Sequence, residues 1–149
     1  MEIIKATPSD NEVLTNITKL SKAYWGYSKE QMESWAEDLT ITKDYIKKNE
    51  VYKLIVEKSV VGYYSYFIEE NNHVKLDNLF ILPEYVGKGF GKILMTDFLN
   101  KIKELKIKNI TLEADPNAEK FYERFGFIKT GQIETSIKDR FLPIMELKL

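Results

Sequence analysis

Three glycines at alternate positions, Gly87, Gly89 and Gly91, stand where one periodicity in this chain gives way to another. Residues 73–82 read as a strand that stops at Pro83. After the glycines, Phe90, Ile93, Leu94, Phe98, Leu99, Ile102 and Leu105 recur at helical spacing and mark a long amphipathic helix. The next β-rich run, residues 109–114, can lie parallel to the first strand because a helix joins the two. Glycine lets the backbone turn tightly and come close to a ligand. The first N–H groups of a helix have no partners within it. Phosphate is therefore the natural guest, and Lys88 and Lys92 add positive charge nearby.

Two familiar phosphate loops do not fit. The Walker pattern needs Gly where Val86 stands and Ser or Thr where Ile93 stands. The dinucleotide fingerprint needs GxGxxG, and the spacing here is GxGxG after a three-strand meander. Alternate glycines can also serve only as a strand-to-helix turn, so the loop alone leaves both readings open.

The rest of the chain extends the pattern. Residues 2–6 read as a first strand. Ser9 and Glu12 form a capping-box pattern ahead of Val13, Leu14, Ile17, Leu20 and Tyr24. Ser28 and Gln31 repeat it ahead of Met32, Trp35 and Leu39, and residues 42–48 can add one or two turns. Residues 51–57 and 60–69 read as strands of an antiparallel meander, and residues 70–72 turn the chain into the fourth. Asp115 and Pro116 suit a helix start, and Gly126 suits its left-handed stop. Residues 127–136 and 141–149 supply the last two strands. The order β-α-α-β-β-β-α-β-α-β-β predicts a mixed α/β sheet of about seven strands flanked by helices.

Bulk properties narrow the function. The 149 residues fit a single domain, 1–149, with no repeat or linker. A net charge of −1 provides no long-range field to gather nucleic acid or anionic membrane. There is no cysteine, and His73 is the sole histidine, which argues against metal sites and Ser-His-Asp chemistry. No basic N-terminal region with an apolar stretch and no bilayer-length apolar run is visible, so a cytoplasmic protein is expected. A monomer or a homodimer is compatible with all of this.

The segment Leu79-Phe80-Ile81-Leu82-Pro83-Glu84-Tyr85-Val86-Gly87-Lys88-Gly89-Phe90-Gly91 resembles the acetyl-CoA signature of the GNAT superfamily of N-acetyltransferases. The family's second signature is an Asn, an Ala, Phe-Tyr and Gly-Phe in order. Residues 114–127 resemble it through Asn117, Ala118, Phe121-Tyr122 and Gly126-Phe127. The resemblance covers nearly the whole chain and implies the GNAT fold, with the fourth and fifth strands splayed apart. It implies acetyl transfer from acetyl-CoA to an amine by direct attack on the thioester. The pantetheine arm would pair with backbone groups of Phe80 and Ile81, and the pyrophosphate would sit on the amides of residues 87–92. Val86 departs from the family's Gln or Arg, which removes one side-chain contact and leaves the grip to the backbone. An acyl-CoA-binding module without catalysis is the alternative, and Val86 is the point in its favour.

Acyl transfer needs the ammonium deprotonated, the carbonyl polarised and the thiolate protonated or stabilised. The resemblance assigns the general acid to Tyr122 and a cofactor contact to Asn117. Without it, Tyr122 reads as a core residue with a polar tip and Asn117 as a first-turn residue satisfying backbone donors. Asp77, on a face with Lys75, Leu79 and Ile81, is the candidate base. It can equally be a solvated strand residue, Glu113 is its rival, and His73 sits at a turn. Trp25 and Tyr64, among Tyr24, Tyr27, Trp35, Tyr63 and Tyr66, are candidate walls for a cationic amine. Ser136 and Arg140 precede Leu142-Pro143-Ile144-Met145, and Arg140 can bind an acceptor carboxylate or serve as a surface turn residue. No strong acidic patch points to polyamines.

Overall fold

The computed structural model describes the whole chain except Asn71, Ser136, Lys138 and Asp139. Asn71 of the expected turn and Ser136 of the C-terminal pattern therefore lie outside the described residues. The strands are β1 Glu2–Lys5, β2 Glu50–Val56, β3 Ser59–Glu69, β4 His73–Ile81, β5 Asn109–Glu113, β6 Ile128–Glu134 and β7 Phe141–Lys148. The α-helices are α1 Asn11–Ala23, α2 Lys29–Ser34, α3 Lys43–Lys48, α4 Phe90–Glu104 and α5 Glu119–Glu123. The strands form one mixed seven-stranded sheet in the order β1-β2-β3-β4-β5-β7-β6. The chain divides into two compact units, Met1–Tyr66 with Asn78–Asn100, and Phe67–Asp77 with Lys101–Leu149.

In the first unit, β1 pairs antiparallel with β2 and β2 with β3. The helices differ in detail from the expected ones. The capping box forms at Thr7, whose N–H donates to Asp10 Oδ2 at 2.8 Å, rather than at Ser9. Pro8 explains the choice, because its fixed φ and missing N–H suit the first position of a helical turn. Ser28 caps α2 as expected, accepting from the Gln31 N–H at 3.0 Å. The helix ends at Ser34 instead of reaching Leu39, where the Ser34 hydroxyl bonds back to the Gln31 carbonyl at 2.7 Å. Thr42 caps α3 in the same way, on Tyr45 N. The core gathers Ala6, Leu14, Ile17, Ile41, Ile46, Val51 and Tyr63. Six consecutive β3 residues, 61–66, are buried, so this strand is covered on both faces.

In the second unit, β5 pairs parallel with β4 and antiparallel with β7, and β6 closes a hairpin with β7. The parallel pairing runs only from His73↔Asn109 to Lys75↔Thr111, while β5 continues to Glu113. A 3-10 turn, Pro116–Ala118, precedes α5, and Gly126 stops the helix with φ +95°. Ile110, Leu112, Tyr122, Phe127 and Met145 are buried here.

Candidate functional site

The candidate residues fall into two groups, one in each unit. In the first, α4 begins at Phe90, and the Gly89 carbonyl accepts its first hydrogen bond from Ile93 N at 3.2 Å. Gly87 and Gly89 hold φ of +81° and +86°, the left-handed region that glycine alone enters without strain. A Cβ at either would meet nothing within 4 Å, so these glycines are required by conformation and not by space. Phosphate fits such a loop, because the first-turn N–H groups of a fifteen-residue helix have no intrahelical acceptors. Val86 is 46% exposed, which suits a position whose side chain supports nothing inside the fold. Lys92 is exposed and Gly91 half-buried at the helix start. Tyr85 braces the loop: its ring meets the edge of Phe90 at 5.8 Å and lies 5.5 Å under the Lys88 ammonium. Sequence reasoning passed over Tyr85, whose signal was an aromatic residue two positions before Gly87 with a second, Phe90, inside the glycine run.

The end of β4 is held from one side. The Ser21 hydroxyl donates to the Ile81 carbonyl at 2.7 Å, and the Leu82 N–H donates to the Val61 carbonyl at 2.8 Å. Gly62 lets β3 approach there, since a Cβ on it would stand 2.8 Å from the Phe80 carbonyl oxygen. Trp25 is 44% exposed and stacks on Tyr24 at 5.2 Å between centroids. Beside α1, the Lys22 ammonium lies 5.4 Å from the Trp35 ring and 5.7 Å from the Tyr27 ring. Tyr64 belongs elsewhere. It has no exposed surface, stacks on Tyr52 at 5.4 Å, and donates its hydroxyl to Asp97 Oδ2 at 2.7 Å. Burial, and then that carboxylate, hold its pKa far above the usual tyrosine value. Tyr64 is thus packed against α4 and offers no wall to an acceptor, contrary to expectation.

In the second group, Tyr122 is buried on α5, with its ring 5.2 Å from Phe121 and 5.9 Å from Phe127. Burial, and then the charge of Asp115, push its pKa well above the ordinary tyrosine value. A tyrosine hydroxyl is protonated at neutral pH with or without that shift, so it has a proton to donate there. Asp115 caps the turn before α5 and accepts from both the backbone and side-chain nitrogens of Asn117 at 2.9 Å. Asn117 is exposed and is the capped residue, not the cap. The Arg140 guanidinium is paired with Asp115 Oδ2 at 3.1 Å, and both side chains are nearly buried. An acceptor carboxylate would have to compete with that pairing, so Arg140 is neither a surface turn residue nor an open anion site. Asp77 is exposed on β4, two residues past the last pair with β5. Glu113 is bridged by Lys75 at 3.3 Å. His73 is half-buried in register with β5 and not loose at a turn: Nε2 meets Thr111 Oγ1 at 2.7 Å and Nδ1 accepts from Asn109 Nδ2 at 2.8 Å. Among the described residues, no helix is long and apolar enough to cross a membrane.

The first unit thus offers a strand end, a left-handed glycine turn and an open helix start, an arrangement that suits the phosphates of an acyl-CoA. Residues 23–148 match the family model for the acetyltransferase (GNAT) domain. The N-acetyltransferase YafP of Escherichia coli is 32% identical over 111 residues, covering 72% of this chain and 67% of that protein. The spermine/spermidine N(1)-acetyltransferase of Bacillus subtilis is 33% identical over 115 residues, covering 68% of this chain and 76% of that protein. The chain spans half or less of the length of three algal N-acetyltransferases that it also resembles. The fold is that of the PaiA N-acetyltransferase from Thermoplasma acidophilum in complex with coenzyme A. That match has a TM-score of 0.80 and 24% identity over 99% of this chain and 98% of that one. The chain belongs to the GNAT acetyltransferase family, and as an N-acetyltransferase it moves an acetyl group from acetyl-CoA to an amine.

Proposed function

We propose that this chain, acting as one domain over residues 1–149, acetylates a cationic primary amine on a small-molecule or peptide acceptor. The amine attacks the thioester carbonyl directly: a C–N bond forms, the C–S bond breaks, and the departing thiolate takes its proton from the Tyr122 hydroxyl. Asp77, exposed beyond the last paired residue of β4, takes the proton that the acceptor ammonium must lose, directly or through water. The amides of residues 87–92, the backbone of Phe80 and Ile81, and Asn117 hold the donor. The observation that carries this reading is Tyr122, buried on α5 between the Phe121 and Phe127 rings. Two observations favour a cationic acceptor. Trp25 presents an exposed ring, and the neighbouring Tyr27 and Trp35 already hold an alkylammonium, that of Lys22. The B. subtilis relative is a spermine/spermidine acetyltransferase. The reading includes a cytoplasmic monomer or homodimer working without metal, nucleic acid or membrane, in keeping with a net charge of −1.

The test is thiol release from acetyl-CoA with spermidine, spermine, an alanine-initiated peptide and free amino acids as acceptors. Turnover is expected with the cationic amines. Tyr122→Phe should lower kcat about 100-fold, the lower end of general-acid contributions, while CoA affinity stays within about twofold. Clear CoA binding with no turnover on any acceptor would instead favour the acyl-CoA-binding module.

A further inference from the structure

An ordinary helix cap uses one side-chain oxygen to satisfy one backbone donor. Asp115 uses both of its oxygens. Oδ1 accepts from the Asn117 backbone N–H and from the Asn117 carboxamide Nδ2, each at 2.9 Å. Oδ2 accepts from Arg140 Nη2 at 3.1 Å. Exposure of the Asp115 and Arg140 side chains is only 11% and 12%, so the pair sits largely out of water, where a charge-assisted bond is strongest. The backbone of Arg140 is itself held. Its carbonyl accepts from Thr135 N–H at 3.3 Å and from the Thr135 hydroxyl at 2.9 Å, and its N–H donates to Ile137 O at 3.1 Å. A carboxamide whose amino end is pinned has one orientation. The carbonyl oxygen, with two lone pairs, is then the end that can accept an amide N–H, and the pantetheine arm of acetyl-CoA carries such groups.

We propose that Asp115 is a positioning residue for the acetyl donor, orienting the Asn117 carboxamide through one carboxylate oxygen while Arg140 anchors the other. This rests on Asn117 being a donor ligand, so the experiment separates the two ideas. KM for acetyl-CoA, CoA affinity by calorimetry and Tm are measured for Asn117→Ala, Asp115→Asn, Arg140→Gln and the Asp115→Asn/Asn117→Ala pair. Asparagine caps as well as aspartate, so Asp115→Asn should melt close to the wild type. It cannot pair with Arg140, and its KM for acetyl-CoA should rise about fivefold, the effect of one hydrogen bond, with Arg140→Gln doing the same. The double variant should be no worse than Asn117→Ala alone. A wild-type KM in Asp115→Asn, or an effect that adds in full to that of Asn117→Ala, overturns the positioning role and leaves Asn117 as ligand. An unchanged KM in Asn117→Ala overturns the ligand reading and the positioning role with it, without touching Tyr122, which is read on kcat.

Discussion

Gly62 is the residue whose replacement most directly tests how the sheet shapes the donor site. It is buried in β3 and needs no left-handed φ, so its role is space. A Cβ added there would stand 2.6 Å from Ile81 Cδ1, 2.8 Å from the Phe80 carbonyl oxygen and 3.3 Å from Leu94 Cδ1. The methyl groups can rotate away, but the carbonyl is backbone. A carbon–oxygen contact settles near about 3.3 Å, so Gly62→Ala must part the strands by about 0.5 Å at Phe80. Overpacking of this kind costs about 1–3 kcal/mol. For a chain of this length that lowers Tm by about 2–12 °C. The displaced backbone is that of Phe80 and Ile81, so KM for acetyl-CoA should rise by about tenfold as the donor loses its alignment. Gly131→Ala is the control: its Cβ would meet only Ile144 Cδ1, at an ordinary 3.6 Å. Thermal unfolding and initial-rate kinetics on the three proteins decide the matter. A Gly62→Ala protein that melts with the wild type refutes the packing argument. One that melts low but keeps its KM refutes the assignment of Phe80 and Ile81 to the donor.

Gly89 has open space around it but φ of +86°, so Gly89→Ala should cost about 1–2 kcal/mol from backbone strain and weaken CoA binding by at least about tenfold as the loop relaxes. Gly26→Ala, at φ +87° and equally open, should lose similar stability with donor affinity unchanged; equal CoA binding by all three proteins would count against the loop. Asp10 provides a pH prediction. Burial acts to raise its pKa, but the Thr7 N–H and the Lys53 ammonium at 3.0 Å outweigh it and leave it below the ordinary value. A carboxylate with a depressed folded pKa stabilises above its unfolded pKa, and that contribution is lost as pH falls through the folded value. Acid unfolding monitored below about pH 4 should therefore be less steep in Asp10→Asn than in the wild type, and identical slopes would contradict the pairing.

Much of the fold was legible because the decisive signals were local. The change from strand to helical spacing around Gly87 and Gly89 gave α4 its start at Phe90, and the intervening helix made β5 parallel to β4. Where two local signals competed, the reading went to the wrong one: Ser9-Glu12 was expected as the capping box, but Thr7-Asp10 forms it, and Pro8 tips the balance. The two roles of Asp115 were only half visible, because its cap is adjacent but Arg140 is 25 residues away. The tyrosines of β3 show the deepest limit. In a strand buried on both faces, alternation does not separate a ligand wall from core. Tyr63 turns its hydroxyl to Thr18 on α1, while Tyr64 turns its own to Asp97 on α4. A residue with no exposed surface whose hydroxyl serves a half-buried carboxylate should act on stability and not on the acceptor. Tyr64→Phe removes that charge-assisted bond and should cost about 1.5–3 kcal/mol while leaving KM for the amine unchanged. An unchanged Tm with a raised acceptor KM would return Tyr64 to the acceptor site and show that β3 opens during turnover.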